Sequence, residues 1–359
     1  ITQPGSGARV THLDAGLGTG DAGESYYYAA RAIDAAGNLS AYTIVKADGE
    51  VVDGAHVSYG GKPAGYTLDP QENIIYVSAH DNETLFDAIQ LKAGSETDLQ
   101  ERIRMNNLAL SIPMLSQGIP FFHAGDDILR SKSLDKNSYD SGDWYNRIDW
   151  SYSSNNWGIG LPIEGSSNWE FYKPLLAEPA LAPIQGDITN AAVIFREFLT
   201  IRKSSPLFRL QTADQVMRMV TFLNNGLDQQ AGLIVMKLED MDNLDAKFSE
   251  IVVLINANPE PVTFSDPSLT GKAYSLHPVQ KNSYDRVLLK AGYNSSSATF
   301  TVPAITTAVF VVERPQAAES EPKAAANAIL PIGFAVAGVL LIAGVLYWIS
   351  RRKGKGETK

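Results

Sequence analysis

The sequence has no cysteine in 359 residues, which excludes a disulfide framework and a thiolate metal site. Histidine is scarce as well, and His12, His56, His123 and His277 show no metal-ligand spacing. Positive charge is in deficit: 30 Lys and Arg against 40 Asp and Glu give a formal net charge of −10. With no basic stripe in the body of the chain, nucleic acid is excluded as the main partner. Residue 1 is Ile, and no basic start with an apolar core and a small-residue cleavage site follows it; the natural N-terminus is expected upstream. Glycine is frequent, yet no phosphate loop occurs and no serine triad can be assembled. What remains is ordinary globular material, 44% hydrophobic and 19% charged, long enough for two or three domains.

Charge is also missing from Ile329–Ile349, a run that ends in Tyr347 and Trp348 and is followed by Arg351, Arg352, Lys353, Lys355 and Lys359. At 1.5 Å per residue such a helix spans roughly 30 Å, a hydrocarbon core. The aromatic end and basic flank predict a single-pass membrane helix over 329–349 with a cytoplasmic tail over 350–359. The body would then lie outside, at the cell surface.

The remaining chain changes character several times. Residues 1–50 carry a Tyr-rich alternating run (Ser25–Ile33), a Gly37-Asn38 turn and a second run (Leu39–Val45), as in a hairpin. The phrase YYYAARAIDAAGNLSAY resembles the last hairpin of a fibronectin type III domain. Over 51–206, short apolar runs (Asn73–Ser78, then GIPFFHAGDD) alternate with helical patterns at Glu96–Leu115 and Asn190–Lys203. In the first helix Leu99, Ile103, Leu108, Ile112 and Leu115 form the core stripe, with Arg102 and Arg104 outward. This order is that of α/β units, in which function gathers at the C-terminal ends of strands. Residues 207–314 show recurring alternating runs (VMRMVTFL, AGLIVMKL, EIVVLINA, ATFTVP, TAVFVVE) and read as an antiparallel β-sandwich. Residues 315–328, rich in Ala, Pro, Glu and Lys, form a linker.

Two clusters can carry chemistry. His80-Asp81-Asn82 places a ring, a carboxylate and an amide at one strand end. Such a group can hold sugar hydroxyls and set a negative charge beside an oxocarbenium ion; Asp-Asn after a strand is equally a common turn or cap. In SYDSGDWYNRIDW, Asp143 and Arg147 are spaced to pair or to bind a polyhydroxyl ligand together. Trp144, Trp150, Trp157 and Trp169 fall within 26 residues; flat rings stack on sugars, but a loop this long also needs its own small core.

The segments YVSAHDNETLFDAI, NNLALSIPMLSQGIPFFHAGDDILRSKSLDKNSYDSGDWYNRIDW and NNWGIGLP, with LFRL and LHPVQ further on, resemble the pullulanase-type branch of glycoside hydrolase family 13 over roughly residues 56–312. The resemblance implies a retaining enzyme that debranches starch-type α-glucans (pullulan, amylopectin, glycogen) at α-1,6 bonds. It implies that NIIYVS and GIPFFHAG are barrel strands seven and eight. Asp81 matches the transition-state-stabilising acid and His80 a residue on the sugar at the cleavage point, and Asn82 lies beside them; Trp144 is the stacking candidate among the substrate-binding residues. Asp143 and Arg147 match the pair that holds the next sugar. No cofactor is implied; calcium and oligomeric state stay open.

The sequence departs from that family in one respect. The nucleophilic Asp and the acid Glu of the family follow strands four and five, and neither motif is present here. The expected fold class is therefore α/β plus all-β: the C-terminal portion of a (β/α)8 TIM barrel, an antiparallel β-sandwich and one transmembrane helix. The expected function is that of a debranching-enzyme part inactive alone; the alternative is a surface-anchored glucan-binding protein without catalysis.

Overall fold

The computed structural model describes residues 69–315 except 165, 227 and 228; before residue 69 it describes only the backbone of five short strands. Strand β1 (Tyr27–Ala30) pairs antiparallel with β2 (Thr43–Lys46), which pairs with β3 (Val51–Val52). These first two strands flank the expected Gly37-Asn38 turn; the rest of the fibronectin-like segment lies outside the described residues. Strands β4 (Ser58–Tyr59) and β5 (Lys62–Pro63) form a second pair.

Strand β6 (Ile74–Ile75) is followed by helices α1 (Leu85–Lys92) and α2 (Leu99–Leu115), then by β7 (Ile119–Pro120), which runs parallel to β6. Each helix begins on a side-chain cap: Thr84 accepts from the Asp87 N–H, and Asp98 from the Glu101 N–H. A long loop holds the single-turn helix α3 (Asp143–Asn146) and leads through α4 (Trp169–Ala177) to α5 (Gln185–Ser204). Helix α5 starts earlier than its apolar stripe alone predicts. The Asp187 carboxylate accepts the Ile184 N–H at 3.0 Å and so satisfies a donor ahead of the first turn.

Arg102 does not face outward as expected but is 2% exposed. Its guanidinium donates to the carbonyls of Thr97 (2.8 Å), Gln90 (3.0 Å) and Gly94 (2.8 Å), filling the gap where α1 ends and α2 begins. Arg104 is partly buried and bound to Asp285.

The second half begins with α6 (Ala213–Met219), where VMRM reads in sequence as a strand. Thr212 caps this turn by accepting the Gln215 N–H, and the strand β8 (Val220–Phe222) starts only afterwards. Strands β9 (Leu233–Glu239), β10 (Phe248–Asn256), β11 (Val262–Ser265) and β12 (Ser275–Leu276), the short helix α7 (Pro278–Lys281), and strands β13 (Gly292–Asn294), β14 (Thr299–Val302) and β15 (Thr306–Glu313) complete the described chain. They form a five-stranded antiparallel sheet ordered β12-β15-β10-β9-β8 and a three-stranded one ordered β11-β14-β13.

The central strand β10 explains the layering. Its run IVVLI is apolar at every position, as in a strand covered on both faces. Val252 and Leu254 join Phe264, Phe300, Val302 and Phe310 in a core between the two sheets. Ile251, Val253 and Ile255 join residues of α2 and α5, among them Leu108, Leu115, Phe198 and Ile201, in a core on the other face. The order is therefore helices, large sheet, small sheet.

Two expectations need correction. The described chain is not a portion of a (β/α)8 barrel with a membrane helix: it has seven helices and mainly antiparallel sheets. Its one parallel pairing among the described residues is two residues long, and α2 and α5 bury their apolar stripes on the antiparallel sheet. The α/β reading failed because strand–helix order does not say which sheet a helix covers. The single-pass, cell-surface reading is corrected as well, because no helix among the described residues is long and apolar enough to cross a membrane. The segment 329–349 and its basic tail lie outside the described residues.

Candidate functional site

The loops leaving β6 and β7 lie side by side, and a buried bond joins them: the Ser78 hydroxyl donates to Asp126 Oδ2 at 2.8 Å. The same oxygen accepts the His123 N–H at 3.1 Å. Asp126 is 3% exposed, and burial raises its carboxyl pKa to about 6 despite these donors. Burial pushes the neighbouring His123 the other way, down to about 4, helped by the charges of Arg130, Lys132 and His80. Burial also raises the Asp127 carboxyl.

A second buried carboxylate organises the following loop. Asp87, at the start of α1, accepts the Ser131 hydroxyl (2.5 Å) and the N–H groups of Lys132 (2.8 Å) and Leu134 (3.3 Å). Complete burial nevertheless lifts its pKa to about 6. The loop wraps this anion tightly enough that Leu129, Ser133 and Leu134 adopt left-handed backbone at φ 59°, 53° and 65°, each at a cost of about 1 kcal/mol or more. Lys132 is thereby sealed at 1% exposure with its Nζ donating to the His80 carbonyl at 3.2 Å. Desolvation lowers its pKa, opposed by the charges of Asp135, Asp87 and Asp81.

Lys132 thus holds the turn through the His80 carbonyl, and His80, Asp81 and Asn82 are all exposed. Asp81 Oδ1 accepts the Asn82 N–H at 3.1 Å, and Asn82 takes left-handed backbone at φ 60°. The bond spans adjacent residues, and the second carboxylate oxygen of Asp81 has no hydrogen-bond partner among the described residues.

The other cluster is built on α3. Gly142, at φ 106°, lets Asp143 open the helix while the Trp144 ring folds back over it; a Cβ there would meet the indole at 2.6 Å. Asp143, Trp144 and Arg147 are all exposed. Asp143 and Arg147 do not pair: the Arg147 guanidinium lies 4.0 Å from Asp149 instead. Arg130 ties this cluster to the β7 loop, with one arm on the Ala124 carbonyl (2.8 Å) and the His123 ring (3.1 Å) and the other on the Asn146 carbonyl (2.8 Å). The four tryptophans divide evenly. Trp157 packs edge-on against Phe86 in the loop core, and Trp169 donates to the Pro162 carbonyl at 2.7 Å. Trp144 and Trp150 are 58% and 64% exposed.

Sequence reasoning missed Asp87, Arg130 and Lys132, and it saw Asp126 only as a carboxylate ending an apolar run, not as a buried support. Only the Thr84–Asp87 spacing, that of a helix cap, gave any signal. Among the described residues no group of three or more His, Asp or Glu side chains is placed to hold a metal.

Residues 152–313 match the family of alpha-1,6-glucosidases, pullulanase-type, C-terminal. This region is similar to the C-terminal domain of pullulanase-type enzymes. The chain is 48% identical to Pullulanase 1, chloroplastic, of Arabidopsis thaliana over 289 residues, 78% of this chain and 30% of that protein. It is 39% identical to pullulanase of Klebsiella pneumoniae over 287 residues, covering 78% and 26%. The apo crystal structure of the Klebsiella pneumoniae enzyme superposes with a TM-score of 0.69 at 38% identity, over 76% of this chain and 30% of that one. Its maltotriose complex gives the same values. The chain thus spans about a third or less of the pullulanases it matches. The plant relative is named as chloroplastic, which is a different location from the expected cell surface.

Proposed function

We propose that this chain forms part of the glucan-binding and charge-stabilising surface of an α-1,6-debranching glycosidase. The observation that carries this reading is the exposed His80-Asp81-Asn82 turn, pinned by buried Lys132, in a chain similar to pullulanases along most of its length. In this reading the Asp81 carboxylate faces the positive charge that develops on the sugar ring at the transition state. His80 and Asn82 bind hydroxyls of the same ring. Asp143 and Arg147, unpaired with each other, clasp the hydroxyls of the next ring, and Trp144 offers it a stacking face.

The same reading assigns no hydrolysis to this chain alone. Retention needs two carboxyl groups roughly 5–5.5 Å apart, one nucleophile and one acid/base. Asp126, at the neighbouring loop end, is buried and already bonded, and the family's nucleophile and acid motifs are both missing from the sequence. A second reading, glucan binding without any catalytic role, draws on the exposed Trp144 and Trp150.

The test has two parts. Retardation of the full chain in pullulan-containing native gels is expected and should be lost in Trp144→Ala and Asp143→Ala. Reducing-sugar release from pullulan should be absent. Release that disappears in Asp81→Ala would mean that a complete acid pair exists here, and the role assigned to this chain would be wrong. Absence of pullulan binding would remove both readings.

A further inference from the structure

Helices α2 and α5 and the segment after α7 enclose a cleft of about 250 Å³ that shares no residue with either loop-end cluster. Its floor is apolar, formed by Leu108, Phe198 and Ile194. Charge in the walls is balanced, Arg104 and Arg286 against Glu197 and Asp285, and most of it is already engaged. Arg104 donates to Asp285 Oδ1 (2.6 Å), the Ile305 carbonyl (2.9 Å) and the Thr306 hydroxyl (2.5 Å), which engages both of its Nη groups. Both Glu197 oxygens accept, from the Ser283 hydroxyl (2.6 Å) and the Tyr284 N–H (3.0 Å).

Neutral hydrogen-bonding capacity remains. The side-chain amides of Asn107 and Asn190 line the cleft with no partner among the described residues. Asp285 Oδ1 takes Arg104 and the N–H groups of Val287 and Leu288, which leaves Oδ2 available. Tyr284 is 66% exposed, with its backbone fixed by Glu197. An apolar floor, a flat aromatic edge, two amides and one spare carboxylate oxygen match a ligand with C–H faces and hydroxyl edges. The volume lies below the roughly 300–1,000 Å³ that enclose a drug-sized ligand, which limits the guest to about one ring.

We propose that this cleft is a separate binding site for a single neutral sugar ring, such as the end unit of an α-glucan. The site stands on its own lining and does not depend on the role given to the loop-end clusters.

The test is calorimetric titration of maltose into the full chain carrying Trp144→Ala, so that the loop ends contribute no stacking. Maltose should still bind, with affinity falling about tenfold on adding Tyr284→Ala and about threefold on adding Asn190→Ala. Both residues are exposed, and unchanged thermal unfolding will show that the variants fold. No maltose binding in the Trp144→Ala chain would overturn the proposal while leaving the loop-end reading intact. Binding indifferent to Tyr284→Ala and Asn190→Ala would overturn it as well. Competition of inorganic phosphate with maltose, relieved by Arg286→Gln, would show an anion site and overturn the neutral-ring assignment.

Discussion

Asp126→Asn should stabilise the protein at neutral pH and do so less in acid. The ionised carboxylate is buried with only two donors, the Ser78 hydroxyl and the His123 N–H, both on one oxygen. Its pKa rises from 3.8 in the unfolded chain to about 6 in the folded one. The sign follows from linkage: a carboxyl raised on folding favours the folded state only while protonated, so stability falls as pH climbs from below 4 through 6. At 1.36 kcal/mol per pKa unit the full effect is about 3 kcal/mol, of which about 2 kcal/mol develops between pH 4.5 and 7.5. Asn is nearly isosteric, keeps an acceptor for the two donors and does not ionise. Urea unfolding of both proteins at pH 4.5 and 7.5 measures the effect. The stability difference, variant minus wild type, should grow by about 2 kcal/mol towards pH 7.5, or several degrees in Tm. Taking a difference removes titrations common to both proteins, including His277, which burial lowers to about 4. A pH-independent difference, or one that shrinks at high pH, would refute the claim that burial dominates this carboxylate.

Two further outcomes follow from named contacts. Arg102→Leu strips donors from three carbonyls between α1 and α2 and should cost about 3 kcal/mol or more in urea unfolding, far beyond the effect of a surface arginine. Gly142→Ala places a methyl against the Trp144 indole at positive φ. Pullulan affinity in native gels should fall severalfold, with a stability loss of only about 1–2 kcal/mol.

Local patterns were legible where a residue's fate depends on near neighbours. The apolar runs of β9, β10 and β15 are strands, and the stripe from Leu99 to Leu115 is a helix. Legibility failed where partners are distant. VMRM alternates like a strand, but Thr212 caps a helical turn there. Arg102 looks solvent-facing on a helical wheel, yet the carbonyls it serves belong to the end of α1 and the loop after it. The parallel pair β6–β7 suggested barrel units, while the helices beside it cover an antiparallel sheet. At the candidate site, the exposed groups His80, Asp81, Asn82, Asp143, Trp144 and Arg147 could be named from sequence. Their supports could not, because a buried Lys132 or Asp87 has the same letter as an exposed one.

The two-sided burial of β10 has a consequence for how its pairing is fixed. Slipping a strand by one residue normally turns polar side chains inward, and that penalty sets the register. A slip within Ile251–Ile255 would exchange one aliphatic set for another and meet little such resistance. Alignment must then be enforced from the strand ends. Asn256, fully buried, donates to the carbonyls of Glu260 (3.0 Å) and Pro303 (2.8 Å). Glu250, 2% exposed, is met by Lys272 at 2.8 Å. A one-residue shift would carry both polar groups away from their partners into apolar surroundings. These two residues act as end stops for the strand on which both cores depend, so their loss would be felt as mispairing during folding as much as lost stability in the finished protein.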